Sequence, residues 1–219
     1  MKVLIIGDVM GKPGRDAMKE FLDKKKNDYD FVIVNGENAA AGFGITPKIA
    51  DEFFELGVDV ITSGNHIWDK KELYPYLDEN RNILRPLNYP KGVPGFGYTI
   101  KENGKGEKIA VINIQGRVFM PEVDSPFQRI EEAIEEIKKE TKNIIVDFHA
   151  EATSEKLAMG WYLDGRVSAV YGTHTHVQTA DERILEQGTG FINDVGMTGS
   201  HDSIIGMTIE TVLPKFLTS

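Results

Sequence analysis

Five short apolar runs in this chain end at side chains able to bind a cation, and that pattern restricts the fold more than any other feature. Val3 to Gly7 runs into Asp8, and Phe31 to Val34 into Asn35-Gly36-Glu37-Asn38. Val58 to Thr62 is followed by Gly64-Asn65-His66. Asn143 to Phe148 ends on His149, and Arg166 to Tyr171 leads into Gly172-Thr173-His174-Thr175-His176. Short apolar runs bounded by turn residues fit strands buried on both faces. Helix-like segments lie between them. One spans 13–26 behind Pro13, one 47–56 closes at Gly57, and one covers 70–77. Another spans 126–140, with Ser125 as its cap and Ile130, Ala133, Ile134 and Ile137 on one face, and a weaker one spans 154–161. Strands alternating with helices imply crossovers and an α/β fold. Its mixed sheets are covered by helices or by a second sheet, and sites form beyond the strand ends.

The remainder is less regular. Residues 81–97 carry Pro86, Pro90, Pro94, Gly92, Gly95 and Gly97 and read as a surface loop. Tyr98 to Lys101 and Lys108 to Ile114 flank Asn103-Gly104 as a hairpin; 183–185 and 189–192 read as strands and 208–217 as a terminal helix. A length of 219 residues with 41% hydrophobic content suits one domain with a real core. No apolar run approaches the roughly 18 residues of a membrane span, and the N-terminal run is too short for a signal peptide. The absence of cysteine excludes disulfides and thiolate metal sites and points to the cytoplasm. A net charge of −9 disfavours non-specific duplex binding, yet bound cations can reverse the field locally for a phosphate substrate.

Taken singly, each polar residue has an ordinary explanation. Asp8, Asn38 and Asn65 suit turns, and a lone His149 suits a satisfied core position. Together they are harder to dismiss, because four of the five histidines, His66, His149, His174 and His176, sit at strand ends. On a strand, residues two apart point the same way, so His174 and His176 are expected to face one point. Imidazole mixed with carboxylate suits Mn, Fe or Zn and argues against Mg and Ca. A pair of ions needs a bridging carboxylate, for which Glu37 is best placed. Two ions about 3.5–4 Å apart can activate a shared hydroxide for in-line displacement at phosphorus.

These blocks resemble the calcineurin-like metallophosphoesterases. Longer stretches resemble their bacterial YmdB-type branch: Gly7-Asp8-Val9-Met10-Gly11, Asn35 to Ala40, Gly64 to Asp69, Asp147 to Lys156 and Gly172 to Thr179. The resemblance runs from Met1 almost to Ser219. It implies mixed β-sheets sandwiched by helices. It implies one metal held by Asp8, Glu37, Asn38 and His176, and a second held by Glu37, Asn65, His149 and His174. His66 would donate a proton to the leaving oxygen as the bridging hydroxide attacks. The metals would be Fe or Mn, with Zn a further candidate. The substrates would be small phosphodiesters, 2′,3′-cyclic or 3′,5′-cyclic nucleotides, with RNA-derived ends also in scope. A homo-oligomer is implied, and no membrane. Phe43, Trp68, Arg117, Glu151 and Trp161 are candidates for the rim.

The chain departs from the superfamily in three places. Met10 stands where an Asp-x-His pair would put histidine, and Asn38 is the replacement ligand the branch suggests. The bridging residue is Glu37 rather than Asp. The branch also runs some dozens of residues further, so this single domain over 1–219 is either a shorter member or one lacking that C-terminal segment. Rival readings are a nucleotide-binding protein using Gly7, Gly11 and Gly14, and a non-catalytic metal-binding regulator. The glycine spacing is neither G-x-G-x-x-G nor a P-loop. A serine hydrolase is disfavoured by the lack of G-x-S-x-G.

Overall fold

A strand with no polar face has to be covered twice. The computed structural model, which describes residues 1–218, meets that demand with two sheets packed face to face inside two layers of helix. The first sheet is parallel, in the order β1 (Val3–Ile6), β2 (Phe31–Asn35), β3 (Val60–Thr62). The second contains β4 (Tyr98–Glu102), β5 (Lys108–Gln115), β6 (Ile144–His149), β7 (Ala169–Thr173), β8 (Arg183–Ile184) and β9 (Gly190–Ile192). Its order is β4-β5-β6-β7-β9-β8, parallel from β5 to β9 with an antiparallel strand at each edge. The β4–β5 hairpin turns at Asn103-Gly104, as the sequence predicts.

Side-chain alternation explains the layering. Along β2, Val32 and Val34 face the helices, while Phe31 and Ile33 face the other sheet. Between the sheets, Phe31, Ile33 and Val60 meet Ile109, Val111, Ile145 and Tyr171. Outside the first sheet lie α1 (Gly11–Lys25), α2 (Pro47–Glu55) and α3 (Leu73–Glu79), anchored by Met18, Leu22, Phe53, Leu73 and Leu77. Outside the second lie α4 (Pro126–Ile137) and α5 (Thr153–Tyr162), anchored by Ile130, Ile134, Ile137 and Met159. The last helix, α6 (Ile209–Thr218), buries none of its residues. No helix among the described residues is long and apolar enough to cross a membrane.

Residues 81–97 do not form the surface loop that their prolines and glycines predict. Ile83, Leu84 and Asn88 are fully buried. Ile83 bridges Ile61 at the free edge of β3, Leu84 bridges Phe96, and Ser63 donates through its hydroxyl to the Leu84 carbonyl. Turn chemistry marks where a chain bends, not whether something covers it. Ser125 is a second correction. Its carbonyl accepts from the Arg129 amide, but its side chain caps nothing. Thr46 does cap: its hydroxyl accepts from the Ile49 amide ahead of Pro47, and Gly57 ends the same helix at φ +87°. Thr46→Ala is therefore expected to lower stability by about 1 kcal/mol and Ser125→Ala by a few tenths at most, compared by urea denaturation.

Candidate metal centre

Every parallel strand that carries a candidate ligand delivers it at the same end of the double sheet. Beneath that end lies Asp147, fully buried on β6. Its Oδ2 accepts from Thr62 Oγ1 at 2.5 Å and from Asn35 Nδ2 at 3.2 Å, and its Oδ1 accepts from Thr173 Oγ1 at 2.7 Å. Two of these donors come from the first sheet and one from the second. Burial holds the Asp147 carboxyl above the usual carboxylate range, against the pull of the nearby His149 and of these donors. The Thr173 hydroxyl has one proton and gives it to Asp147, so toward His149 Nδ1, 2.9 Å away, it can only accept. That places a proton on Nδ1 and turns Nε2 toward the cluster, where it can ligate a metal once its own proton is displaced. Asn35 completes the support by accepting the Glu37 amide at 3.1 Å.

Above this base the donor atoms crowd together. One donor atom each from Asp8, Glu37 and His149 lies within 4.8 Å of the others, and all three residues are buried. His149 Nε2 is 2.6 Å from Glu37 Oε2, yet the pair is not aligned for a hydrogen bond, and Oε2 has no hydrogen-bond partner. Asp8 Oδ1 and Asn65 Oδ1 are likewise buried without hydrogen-bond partners. His174 Nδ1 lies 3.1 Å from His149 Nε2, close to the roughly 3.3 Å that separates two imidazole nitrogens on one tetrahedral ion. The His174 amide donates to Asp8 Oδ2 at 3.2 Å. His176 Nε2 is 3.2 Å from Asn38 Oδ1 and 3.9 Å from Asp8 Oδ1. Each unpartnered buried oxygen costs a few kcal/mol, and bound cations would satisfy all three. The residues present thus fit a metal centre of mixed imidazole and oxygen donors.

The reason for the histidine convergence differs from the strand alternation expected. β7 ends at Thr173, and His174 (φ +98°) and His176 (φ +65°) both lie beyond it in left-handed backbone. Such conformations are uncommon for residues other than glycine and gather at functional sites. A clamp not anticipated from sequence holds this loop. Lys156 on α5, fully buried, puts Nζ 2.6 Å from Asp194 Oδ2, which also accepts from Thr175 Oγ1 at 2.7 Å. Asp194 Oδ1 accepts from the Gly196 amide at 2.7 Å. Lysine is rarely buried unless paired, so no local pattern marks it.

His66 opens toward the site from a 3₁₀ turn, Asn65–Trp68. Its amide donates to Glu37 Oε1 at 2.7 Å, and Asp69 Oδ2 lies 2.8 Å from its Nδ1. Gly64 lets this turn come close: a Cβ there would fall 2.1 Å from His149 Nε2 and 2.4 Å from Glu37 Oε2. Gly7 and Gly14 have a packing role. They admit the returning chain, with Cβ positions 2.0 Å from the Gly196 carbonyl and 2.2 Å from that of Thr198. A cleft of about 380 Å³ opens over the cluster, lined by Glu37, Asn38, His66, Glu151, His174 and His176 and by apolar Met10, Phe43, Ile205 and Met207. Of the rim candidates, Phe43 and Glu151 line it. Trp68 instead packs edge-on against Tyr74 and Tyr89. The Arg117 amide is held by Glu155 at another depression, and Trp161 lies under the Arg183 guanidinium.

Oxygen and imidazole donors gathered at the shared end of a helix-flanked double sheet are the architecture of the metallophosphoesterases. The chain belongs to the YmdB-like protein family, whose model matches residues 4–219. It is 56% identical over 222 residues to a Bacillus subtilis protein named 2′,3′-cyclic-nucleotide 2′-phosphodiesterase, covering 100% of this chain and 83% of that one. The crystal structure of a hypothetical protein from Thermus thermophilus superposes with a TM-score of 0.95 at 49% identity, over 100% of this chain and 85% of that one. The crystal structure of a novel phosphatase from Mycoplasma pneumoniae superposes with a TM-score of 0.90 at 39% identity, over 99% and 79%.

Two outcomes follow from this geometry. Thr173→Val removes a donor from Asp147 and an acceptor from His149, and is expected to lower stability by about 2–4 kcal/mol, whereas Thr173→Ser keeps both bonds and stays within about 1 kcal/mol in urea denaturation. The second concerns pH. Burial would lower His149, but the adjoining Glu37, Asp8 and Asp147 carboxylates more than reverse this and raise it to about 9. Burial raises Asp8 to about 6. Stability conferred by protonated His149 is present below its unfolded value of 6.5 and is lost as pH rises through about 9. The cost of ionising Asp8 is absent below 3.8 and complete above about 6. Both act in one direction, whereas His174, lowered from 6.5 to about 3, adds stability as pH rises between those values, so chelator-treated protein is expected to lose stability steadily only from about pH 6.5 to 9. Excess Mn should flatten that profile, as urea midpoints at each pH will show.

Proposed function

We propose that this chain is a metal-dependent phosphodiesterase that hydrolyses cyclic nucleotides, 2′,3′-cyclic nucleotides foremost, at the Asp8–Glu37–His149 cluster. The observation that carries this reading is the set of orphaned buried oxygens on Asp8, Glu37 and Asn65, facing His149, His174 and His176 beside His66. The distances support a division of ligands. Asp8, Glu37, Asn38 and His176 would hold one cation, and Glu37, Asn65, His149 and His174 the other, with Glu37 shared. Fe and Mn suit this donor set best, with Zn also compatible. When bound, the two ions supply Lewis acidity, which activates water and neutralises phosphate oxygens.

The chain's own groups do the rest. Burial lowers the His174 pKa to about 3, so its imidazole is neutral and offers one unprotonated nitrogen as a metal donor. Asp69 accepts from His66 Nδ1, which leaves Nε2 as the nitrogen able to hold a proton for the leaving oxygen. An alkoxide leaves poorly unless protonated, and a positioned acid contributes roughly 10²–10⁴ in rate. The name of the Bacillus subtilis relative specifies the 2′ ester. For that reaction water adds at phosphorus, the P–O2′ bond breaks, and His66 delivers the proton to O2′, leaving a 3′-monophosphate.

The test pairs elemental analysis with turnover of 2′,3′-cyclic AMP, with and without added Mn. About two ions per chain and Mn-dependent hydrolysis are expected, and His66→Ala should lower kcat by roughly 10²–10⁴ with metal content retained. A chain that stays inert after reconstitution, or an unaffected His66→Ala variant, would overturn the proposal and leave the non-catalytic regulator in its place.

A further inference from the structure

One wall of the cleft has no part in the hydrolysis described above. It consists of Met10, Phe43, Ile205 and Met207. Phe43 is 48% exposed and Ile205 54% exposed, a large apolar surface to leave in water beside a charged site. The wall is built rather than incidental. Met10, standing where the superfamily places a histidine, lies beneath two loops that close over it only as glycine: a Cβ at Gly42 would fall 3.1 Å from its Cε, and one at Gly206 2.3 Å from its Cγ. Phe43 is presented by left-handed backbone on both sides, with φ of +95° at Gly42 and +74° at Gly44. Ile205 itself has φ +46°, which is strained for a β-branched residue. Its carbonyl accepts from His176 Nδ1 at 2.9 Å. The same strained residue thus orients a candidate ligand and holds an apolar side chain in the cleft. Strain of this kind persists only where the surroundings enforce it, and it gathers at ligand sites.

We infer that this apolar wall is a nucleobase subsite, with the base stacked on Phe43 and flanked by Ile205 and the Met10 and Met207 thioethers while its phosphate sits over the donor cluster. This inference rests on the phosphodiesterase reading and adds the part of the substrate that the metal cluster cannot recognise. A polar end matched to a phosphate, continuous with an apolar end matched to a flat ring, fits a nucleotide better than a simple alkyl diester. The wall offers no side-chain donor to a base edge, and the thioethers accept only weakly. Selection is therefore by stacking area: purines ahead of pyrimidines, with little distinction between adenine and guanine. Base–aromatic stacking of this type is worth roughly tenfold or more in affinity.

The experiment compares kcat and KM of Mn-loaded protein for 2′,3′-cyclic AMP, GMP and UMP and for base-free glycerol 1,2-cyclic phosphate, in the native chain, Phe43→Ala and Phe43→Trp. The native chain should show a KM roughly tenfold or more lower for the purine nucleotides than for the base-free diester, with AMP and GMP within about threefold. Phe43→Ala should shrink that preference about tenfold, mainly through KM, and Phe43→Trp should restore it. Equal losses on both substrates would mean that Phe43 serves only His66, whose ring it meets edge-on at 5.0 Å, and would overturn the inference. Hydrolysis of none of the diesters would instead defeat the phosphodiesterase reading. Equilibrium binding of 3′-AMP against glycerol phosphate in the same three proteins would then decide the subsite by itself: tighter 3′-AMP binding that depends on Phe43 sustains it, and its absence ends it.

Discussion

The structure depends on a single buried carboxylate. Asp147 collects hydrogens from Thr62 and Asn35 of one sheet and Thr173 of the other, and so fixes the distance and register between the two sheets where they meet beneath the site. Apolar packing between Ile33, Val111 and Tyr171 brings the sheets together but is not directional. The polar network adds direction. Through Thr173 it sets the orientation and tautomer of His149, and through Asn35 it places the Glu37 backbone. The geometry of the cluster is therefore inherited from the junction of the two sheets and not from any one loop. Rigid elements hold catalytic groups more tightly than loops can, and here the strand ends carry Asp147, His149 and Thr173 directly.

The site is also where the chain departs furthest from its most stable arrangement. Three buried oxygens lack hydrogen-bond partners, burial pushes the Asp8 carboxyl up to about 6, and two histidines and an isoleucine occupy left-handed backbone. Each feature costs free energy in the metal-free chain, and together they are a sizeable share of the net stability of a typical domain. Bound cations would remove most of that cost, so folding and metal binding are coupled here. Lys156 and Asp194 provide the counterweight, since their ion pair secures the loop from which His174 and His176 project.

The α/β class and the order of the elements are legible in the sequence, because strands buried on both faces leave unmistakable apolar runs, and the polar residue at which each run stops is what marks the ligand candidates. Three things were not legible, and they share a physical reason. Asp147 was visible only as part of a block, since a carboxylate bonded across two sheets looks locally like any strand residue. Lys156 and Asp194 are 38 residues apart and meet only after folding. Residues 81–97 look like a surface loop because proline and glycine report local backbone geometry, whereas the burial of Ile83 and Leu84 is decided by the free edge of β3. The histidine pair was found for a reason the structure replaces: strand periodicity predicts convergence, but left-handed backbone produces it.

Met10 shows how one replacement changes both halves of a site. A histidine there would place a polar, titratable group on the cleft floor. With methionine the floor is apolar, the loops pack down on the thioether, and Phe43 and Ile205 are carried to the cleft edge. Asn38, whose Oδ1 lies 3.2 Å from His176 Nε2, is the proposed replacement for the donor given up. A neutral amide in place of an imidazole would leave the coordination number available while withdrawing a stronger donor, so an ion held by Asp8 and His176 would be the more electrophilic for it. On the proposed reading the same substitution would sharpen one end of the cleft for phosphate and shape the other for an apolar ring, which makes the two ends parts of one binding surface.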